Sequence, residues 1–264
     1  MNHPRVLVGC PVSEYHSYCT KDYLSAITHL TYSNYNVLLV DNSKTSSFFK
    51  FLEKQGINVI KSRYDENPRE RIINSRNLLR QHALDNNYDY LFSLEQDIIP
   101  PKDVLEILTS HKKDVISGVY CGNIKVGGKL RILPLVYKFP PESRLEEAKQ
   151  VINASNLKEL KEETGSSYLE MVKAYYTIEE LEKESSPTLV HSCGLGCVLI
   201  SRAVLEKVTF RYSEKYGGWD DVWFCEDTKK LGFKIYIDPK IKCRHLIKNR
   251  PWSWKSLLKS QNHK

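Results

Sequence analysis

Through its first hundred residues the chain alternates short apolar runs with amphipathic stretches, and each apolar run stops on polar residues. "RVLVGC" (5–10), "YNVLLVDNS" (35–43), "INVIKS" (57–62) and "YDYLFSL" (88–94) have the length and β-branched content of buried strands. Between them, three segments read as helices: 20–31 with Thr20 as N-cap, "TSSFFKFLEKQ" closed by Gly56, and "PRERIINSRNLLRQHALDN" (68–86) opened by Pro68. Strand and helix joined by short connections predict a Rossmann-like α/β fold, a mostly parallel central sheet with helices on both faces. Ligands of such sheets sit at the C-terminal strand ends. Here those ends are Pro11–Glu14, Asp41–Ser43, Lys61–Tyr64 and Glu95–Asp97.

Beyond Pro101 the spacing predicts a helix ("DVLEILTSH") and further strands ("DVISGVYCG", "LRILPLVYKF"). Residues 141–187 are strongly charged and read as a helical insertion. "LVHSCGLGCVLISRAVLEKV" returns to buried strand and then helix. "YGGWDDVWFCEDTKKLGFKIYIDPKIKCRH" reads as a glycine turn, a helix ending at Gly232, a strand to Asp238-Pro239 and another strand to His245. With no internal repeat and no low-complexity linker, residues 1–264 are expected to form one domain, ending in a basic tail (247–264) that carries two tryptophans.

Composition narrows the class. The 39 Lys and Arg against 32 Asp and Glu give a net charge of +7, suited to anionic partners. No apolar run approaches the ~18 residues that span a bilayer. The seven cysteines are scattered without a C-x-x-C pair, mostly inside apolar segments. They are expected to be reduced core residues, and the compartment cytoplasmic.

The residues able to carry chemistry collect at the predicted strand ends. Glu95 and Asp97, spaced i and i+2, can both face a cleft once the chain turns, and hard carboxylate oxygens suit Mg²⁺ or Mn²⁺ together with substrate phosphates. A solvated strand end is the plain alternative. Arg76 and Arg80 lie one turn apart on the preceding helix; their guanidinium forks can hold a diphosphate or pair with surface acids. His245 closes a late strand. Asp220-Asp221 opens a helix, where acids favour the macrodipole or supply a general base facing the cleft.

These pieces, taken in order, resemble the GT-A glycosyltransferases, particularly family-2-like enzymes, from about residue 4 to 246. "VLVGCPVSEY" looks like the nucleotide-contacting first strand and loop, and "VLLVDNS" like the second strand. "INSRNLLRQHALDNNYDYLFSLEQDIIPP" looks like the Arg-Asn helix and D-x-D strand. "GGWDDVWFCEDTKKLGFKIYIDPKIKCRH" looks like the G-E-D-x-D-F-C helix and the closing His. The motif here reads Glu-Gln-Asp, Trp223 replaces the second acid of the G-E-D-x-D run, and Trp219 separates the glycine from the acid pair.

The resemblance implies Asp97 and His245 as ligands of Mn²⁺ or Mg²⁺ and Asp221 as the base of an inverting transfer. It implies a donor site of Pro11, Ser13, Glu14, Asp41, Arg76, Glu95 and Gln96, where Asp41 meets the nucleoside, Arg76 the phosphate or sugar, and Gln96 stands between the acids. Trp219 and Tyr216 are aromatics suited to stacking on an acceptor sugar. The expected partners are a UDP- or GDP-sugar donor and a glycan, lipid-linked or protein acceptor. A retaining transferase of the same fold would need no base at Asp221. From a different class, a basic non-catalytic module would bind nucleic acid or a membrane surface, but its aromatic and basic residues would share one face. Here the basic density is mainly in the tail, so no nucleic-acid partner is expected. For the tail itself two roles stay open as expectations, a weak membrane-surface anchor and a lid over the donor.

Overall fold

The computed structural model describes residues 3–126, 128–143, 174–214 and 218–248, together with Trp254. The strands are β1 (Val6–Val12), β2 (Tyr35–Asp41), β3 (Val59–Lys61), β4 (Tyr90–Leu94), β5 (Ile98–Ile99), β6 (Val115–Val119), β7 (Cys121–Val126) and β8 (Lys129–Pro134). They continue with β9 (Val136–Lys138), β10 (Ala174–Tyr175), β11 (Thr188–Val190), β12 (Ser192–Cys193), β13 (Cys197–Ser201), β14 (Ile235–Lys242) and β15 (Arg244–His245). The helices are α1 (Thr20–Thr28), α2 (Ser47–Lys54), α3 (Pro68–Asp85), α4 (Val104–Ser110), α5 (Ile178–Lys183), α6 (Arg202–Leu205) and α7 (Asp220–Lys230).

Eight strands form the central sheet in the order β11-β14-β6-β13-β4-β1-β2-β3. β1 pairs parallel with β2 and β4, β2 with β3, and β14 with β6. Only β13 and β11 run against their neighbours. The mostly parallel α/β architecture expected from the sequence is therefore the one observed. Side chains alternate across β1: Leu7 joins the core under α3, α6 and α7, whereas Val6, Val8, Cys10 and Val12 join the core under α1, α2 and α4.

α3 positions much of the site. Asn67 caps it by accepting the Arg69 N–H at 3.0 Å, and Pro68 occupies the first turn, where its missing N–H costs nothing. The helix buries Ile73, Arg76, Leu79 and Ala83, a spacing that keeps them on the sheet side. It lies so close to β1 that a Cβ on Gly9 would sit 3.1 Å from Leu79 Cδ2, as well as 2.8 Å from Leu91 Cδ1 of β4. Leu79 is 2% exposed, so truncating it to Ala is expected to cost about 2–5 kcal/mol.

Several expectations change. Asp238-Pro239 does not end a strand: β14 runs through it to Lys242, with a register shift against β6 between Ile237 and Lys242. Such an irregularity is where a sheet accepts proline. Within 141–187, the described residues include the helix α5 but also β10, which joins β9 and β12 in a three-stranded sheet. Residues 144–173 lie outside the described residues, as does the 247–264 tail apart from Ile247, Lys248 and Trp254. All seven cysteines are free and buried. Among the described residues, no helix is long and apolar enough to cross a membrane.

Candidate functional site

The C-terminal ends of β1, β2 and β4 and the N-terminal half of α3 enclose a cavity of about 480 Å³. Its lining includes Pro11, Ser13, Tyr15, His16, Asn42, Arg71, Arg76, Glu95, Gln96, Asp97 and Trp219. Of the residues singled out from the sequence, Pro11, Ser13, Arg76, Glu95, Gln96, Asp97 and Trp219 thus meet around one space.

Asp97 lies within the turn closed by the Ile98 N–H donating to the Glu95 carbonyl at 3.0 Å. The turn leads into β5, and β15 pairs antiparallel with it, His245 opposite Ile98. This two-residue ladder brings together groups 148 positions apart: His245 Nε2 lies 3.1 Å from Asp97 Oδ2. The other ring nitrogen, Nδ1, is 2.7 Å from the Cys121 carbonyl. A carbonyl only accepts, so Nδ1 carries the proton. In the neutral ring, the Nε2 lone pair then faces a carboxylate oxygen with no donor between them.

That junction calls for a cation, either a proton or a metal ion. Burial works against charge on His245, but its bond to Asp97 and the nearby acid raise its pKa overall. The donor set fits a divalent ion: one carboxylate oxygen, one imidazole nitrogen, and a backbone carbonyl that fixes the ring from behind. The two atoms are close enough together that one divalent ion could be held by both. His16, on the short 3₁₀ turn Glu14–Cys19, adds a second imidazole nitrogen further off, with Nε2 4.0 Å from Asp97 Oδ2. Burial and the neighbouring His245 lower the His16 pKa, although Asp97 pulls it up. Among the described residues, no group of three or more His, Cys, Asp or Glu side chains converges closely enough to enclose an ion alone. The remaining positions would fall to substrate oxygens or water, the usual arrangement for Mg²⁺.

Arg76 differs from expectation. It is 3% exposed, and each of its three nitrogens already meets a partner. One terminal nitrogen donates to Ser93 Oγ at 2.5 Å and the other to Glu95 Oε1 at 2.7 Å, while Nε meets the Asp220 carboxylate as an ion pair. The guanidinium thus joins the end of β4 to the start of α7 instead of opening toward a phosphate. Burial raises Glu95 to about 7; Arg76 pulls it down, and Asp97 and Asp220 push it further up. Gly196 makes room for this carboxylate, since a Cβ there would sit 2.7 Å from Tyr120 Cζ and 2.9 Å from Glu95 Oε2. Among the described residues Arg80 pairs with no acid: its Nε donates to the carbonyls of Leu205 at 2.6 Å and Val208 at 2.9 Å, closing the end of α6.

Asp41 does not reach the cavity. It is fully buried, accepting from the Ser43 N–H and hydroxyl, with Lys61 Nζ 3.0 Å away. Its neighbour Asn42 lines the wall instead. Glu14 is exposed and outside the lining; its N–H donates to Ser43 Oγ at 2.8 Å. Asp221 is half-buried, and its Oδ1 accepts the Val222 N–H at 2.8 Å; it does not line the cavity. Trp219 precedes α7, is 45% exposed, and has the Arg69 guanidinium 5.2 Å above its ring. Tyr216 lies outside the described residues.

Tyr15 and His16 went unnoticed in the sequence, and Asn42 was noticed only as part of the Asp41–Ser43 strand end, with no role given to it. Tyr15 and His16 stand one and two residues past the Pro11–Glu14 end, so the loop after a strand end, not only its last acid, was the missing signal.

No protein-family model matches the chain, and no curated protein sequence matches it. Among solved structures, the chain is similar to GalNAc-T7, determined with UDP, GalNAc and Mn²⁺. The TM-score is 0.60 at 12% identity, over 96% of this chain and 45% of that one. It is also similar to A197 from STIV, with a TM-score of 0.44 and 18% identity over 93% of this chain and 87% of that one. The fold is accordingly GT-A-like, and the chain spans less than half the length of GalNAc-T7.

Proposed function

We propose that the protein is a metal-dependent glycosyltransferase that moves a sugar from a UDP- or GDP-sugar to an acceptor hydroxyl. The observation carrying this reading is that His245 meets Asp97, and Asp97 lines a cavity on the C-terminal edge of the parallel strands. The fold likeness to GalNAc-T7, a protein crystallised with UDP, GalNAc and Mn²⁺, supports it.

Asp97 and His245 would hold Mn²⁺ or Mg²⁺. The ion, when bound, supplies positive charge against the diphosphate that leaves as the anomeric bond breaks. Every other contribution belongs to side chains. Tyr15 and Trp219 offer flat faces in the cavity wall to the base and to an acceptor sugar. Glu95, held by Arg76, faces the donor. Asp221 would take the acceptor proton in an inverting transfer.

A specific observation favours a second reading of the stereochemistry. Asp220 is engaged by Arg76, and neither it nor Asp221 lines the cavity. A retaining transfer, which needs no side-chain base, fits that placement. The anomeric configuration of the first-formed product, read by proton NMR, separates the two.

The reading as a whole is tested by incubating the protein with UDP- and GDP-sugars, with and without Mn²⁺. Metal-dependent release of UDP or GDP supports it. A protein that neither binds nor turns over any of these donors contradicts it.

A further inference from the structure

We propose that Gln96 is a positioning residue that fixes the Ser13–Thr20 wall of the cavity. The inference rests on reading the cavity as a nucleoside-diphosphate site. By sequence, Gln96 is only the residue between two acids. In the fold it is 4% exposed, and every bond of its carboxamide goes to one segment. Oε1 accepts the Ser13 N–H at 2.9 Å. Nε2 donates to the His16 carbonyl at 3.3 Å and to Thr20 Oγ1 at 3.0 Å. The main chain joins in, with Cys19 Sγ donating to the Gln96 carbonyl at 3.4 Å.

The partners fix the orientation of the amide. A backbone N–H can only donate and a backbone carbonyl can only accept, so the oxygen must face Ser13 and the nitrogen His16. No other side chain of this length offers both. Glutamate keeps the Ser13 bond but sets an acceptor against the His16 carbonyl, and methionine keeps the volume but loses all three bonds. The segment held this way carries Ser13, Tyr15 and His16 into the cavity and sets His16 within 4.0 Å of Asp97. Gln96 itself needs no contact with the ligand.

Three measurements on Gln96→Met, Gln96→Glu and Thr20→Val test the role. They are amide hydrogen exchange across residues 13–20, the Kd of UDP and GDP in the presence of Mn²⁺, and the split between donor KM and kcat. Loss of the buried bonds is expected to weaken nucleotide binding about tenfold in both Gln96 variants. KM should rise while kcat holds, and the Ser13 amide should lose protection in Gln96→Met. Thr20→Val should show a smaller effect that does not add to that of Gln96→Met, because the two share one bond.

A merely structural role would instead lower the active fraction, so that kcat falls with KM and Kd unchanged; that result overturns the proposal. So does weakened binding with unaltered exchange across 13–20. Wild-type protein that binds neither nucleotide overturns the nucleotide reading itself. Wild-type binding matched by both Gln96 variants overturns only the role of Gln96.

Discussion

His245 Nε2 stands 3.1 Å from Asp97 Oδ2, and the Cys121 carbonyl holds the opposite ring nitrogen at 2.7 Å. Two acceptors are thus aimed at each other by elements from distant parts of the chain. If this junction holds the proposed divalent ion, a proton competes for the same lone pairs, and metal affinity measured by titration should fall as the medium becomes more acidic.

Arg76 is a buried cation placed between Glu95 and Asp220. Arg76→Met leaves two carboxylates without their counter-charge, which should cost about 3–5 kcal/mol of folding stability in urea titration. Arg76→Lys should recover only part, since one ammonium cannot serve three acceptors in a planar fork. Equal stability of the Met variant and the wild type would refute this account of α7 docking.

The two acids that open α7 should behave differently. Asp220→Asn weakens the Arg76 pair and should lower the melting temperature. Asp221→Asn should lower it less, because a half-buried acid in the first turn contributes about 0.3–1 kcal/mol through the helix dipole. If Asp221 is the base, its Asn variant loses transfer by two or more orders of magnitude while donor binding persists. Unchanged transfer assigns the chemistry to the retaining class.

His191 makes folding sensitive to acid. Burial, aided by Lys229 at 2.7 Å, lowers its pKa to about 4, although Glu226 pulls it up. The unfolded chain binds the proton more readily, near the ordinary value of about 6.5. This contribution to stability is therefore complete above pH 6.5 and is lost as pH falls through 4, with a slope of at most about 1.4 kcal/mol per pH unit. His191→Gln should flatten the stability curve in that window. A curve as steep as that of the wild type would show that other groups set the acid limit.

The cysteines offer a simple check on the core. All seven are buried, and burial pushes the thiols of Cys10 and Cys121 upward. Thiolate is the reactive form. A thiol reagent should label the native protein slowly and label all seven groups once urea unfolds it. Rapid native labelling would show a looser core.

How much of this was legible follows from range. The strands that build the sheet announce themselves as apolar runs, and their polar ends mark the cavity, because both signals are local. Asp97 and His245 were legible as strand-end residues, but their meeting depends on a ladder of two residues per strand, too short to leave a periodic pattern. The engagement of Arg76 was not legible, since Glu95 and Asp220 lie 19 and 144 positions away. Nor was the burial of Asp41, whose oxygens turn to Ser43 and Lys61. Pro239 read as a stop because a proline usually is one, and only the pairing with β6 shows the irregularity that admits it.

The central claim is that Asp97 and His245 bind a divalent ion together with a nucleoside diphosphate. Isothermal titration of UDP and of GDP, each with Mn²⁺ and with EDTA, tests it most directly in the wild type, Asp97→Ala and His245→Ala. The account predicts that at least one nucleotide binds the wild type only when Mn²⁺ is present, and that either substitution abolishes that dependence. Equal binding in EDTA, or metal-dependent binding that survives both substitutions, would contradict it.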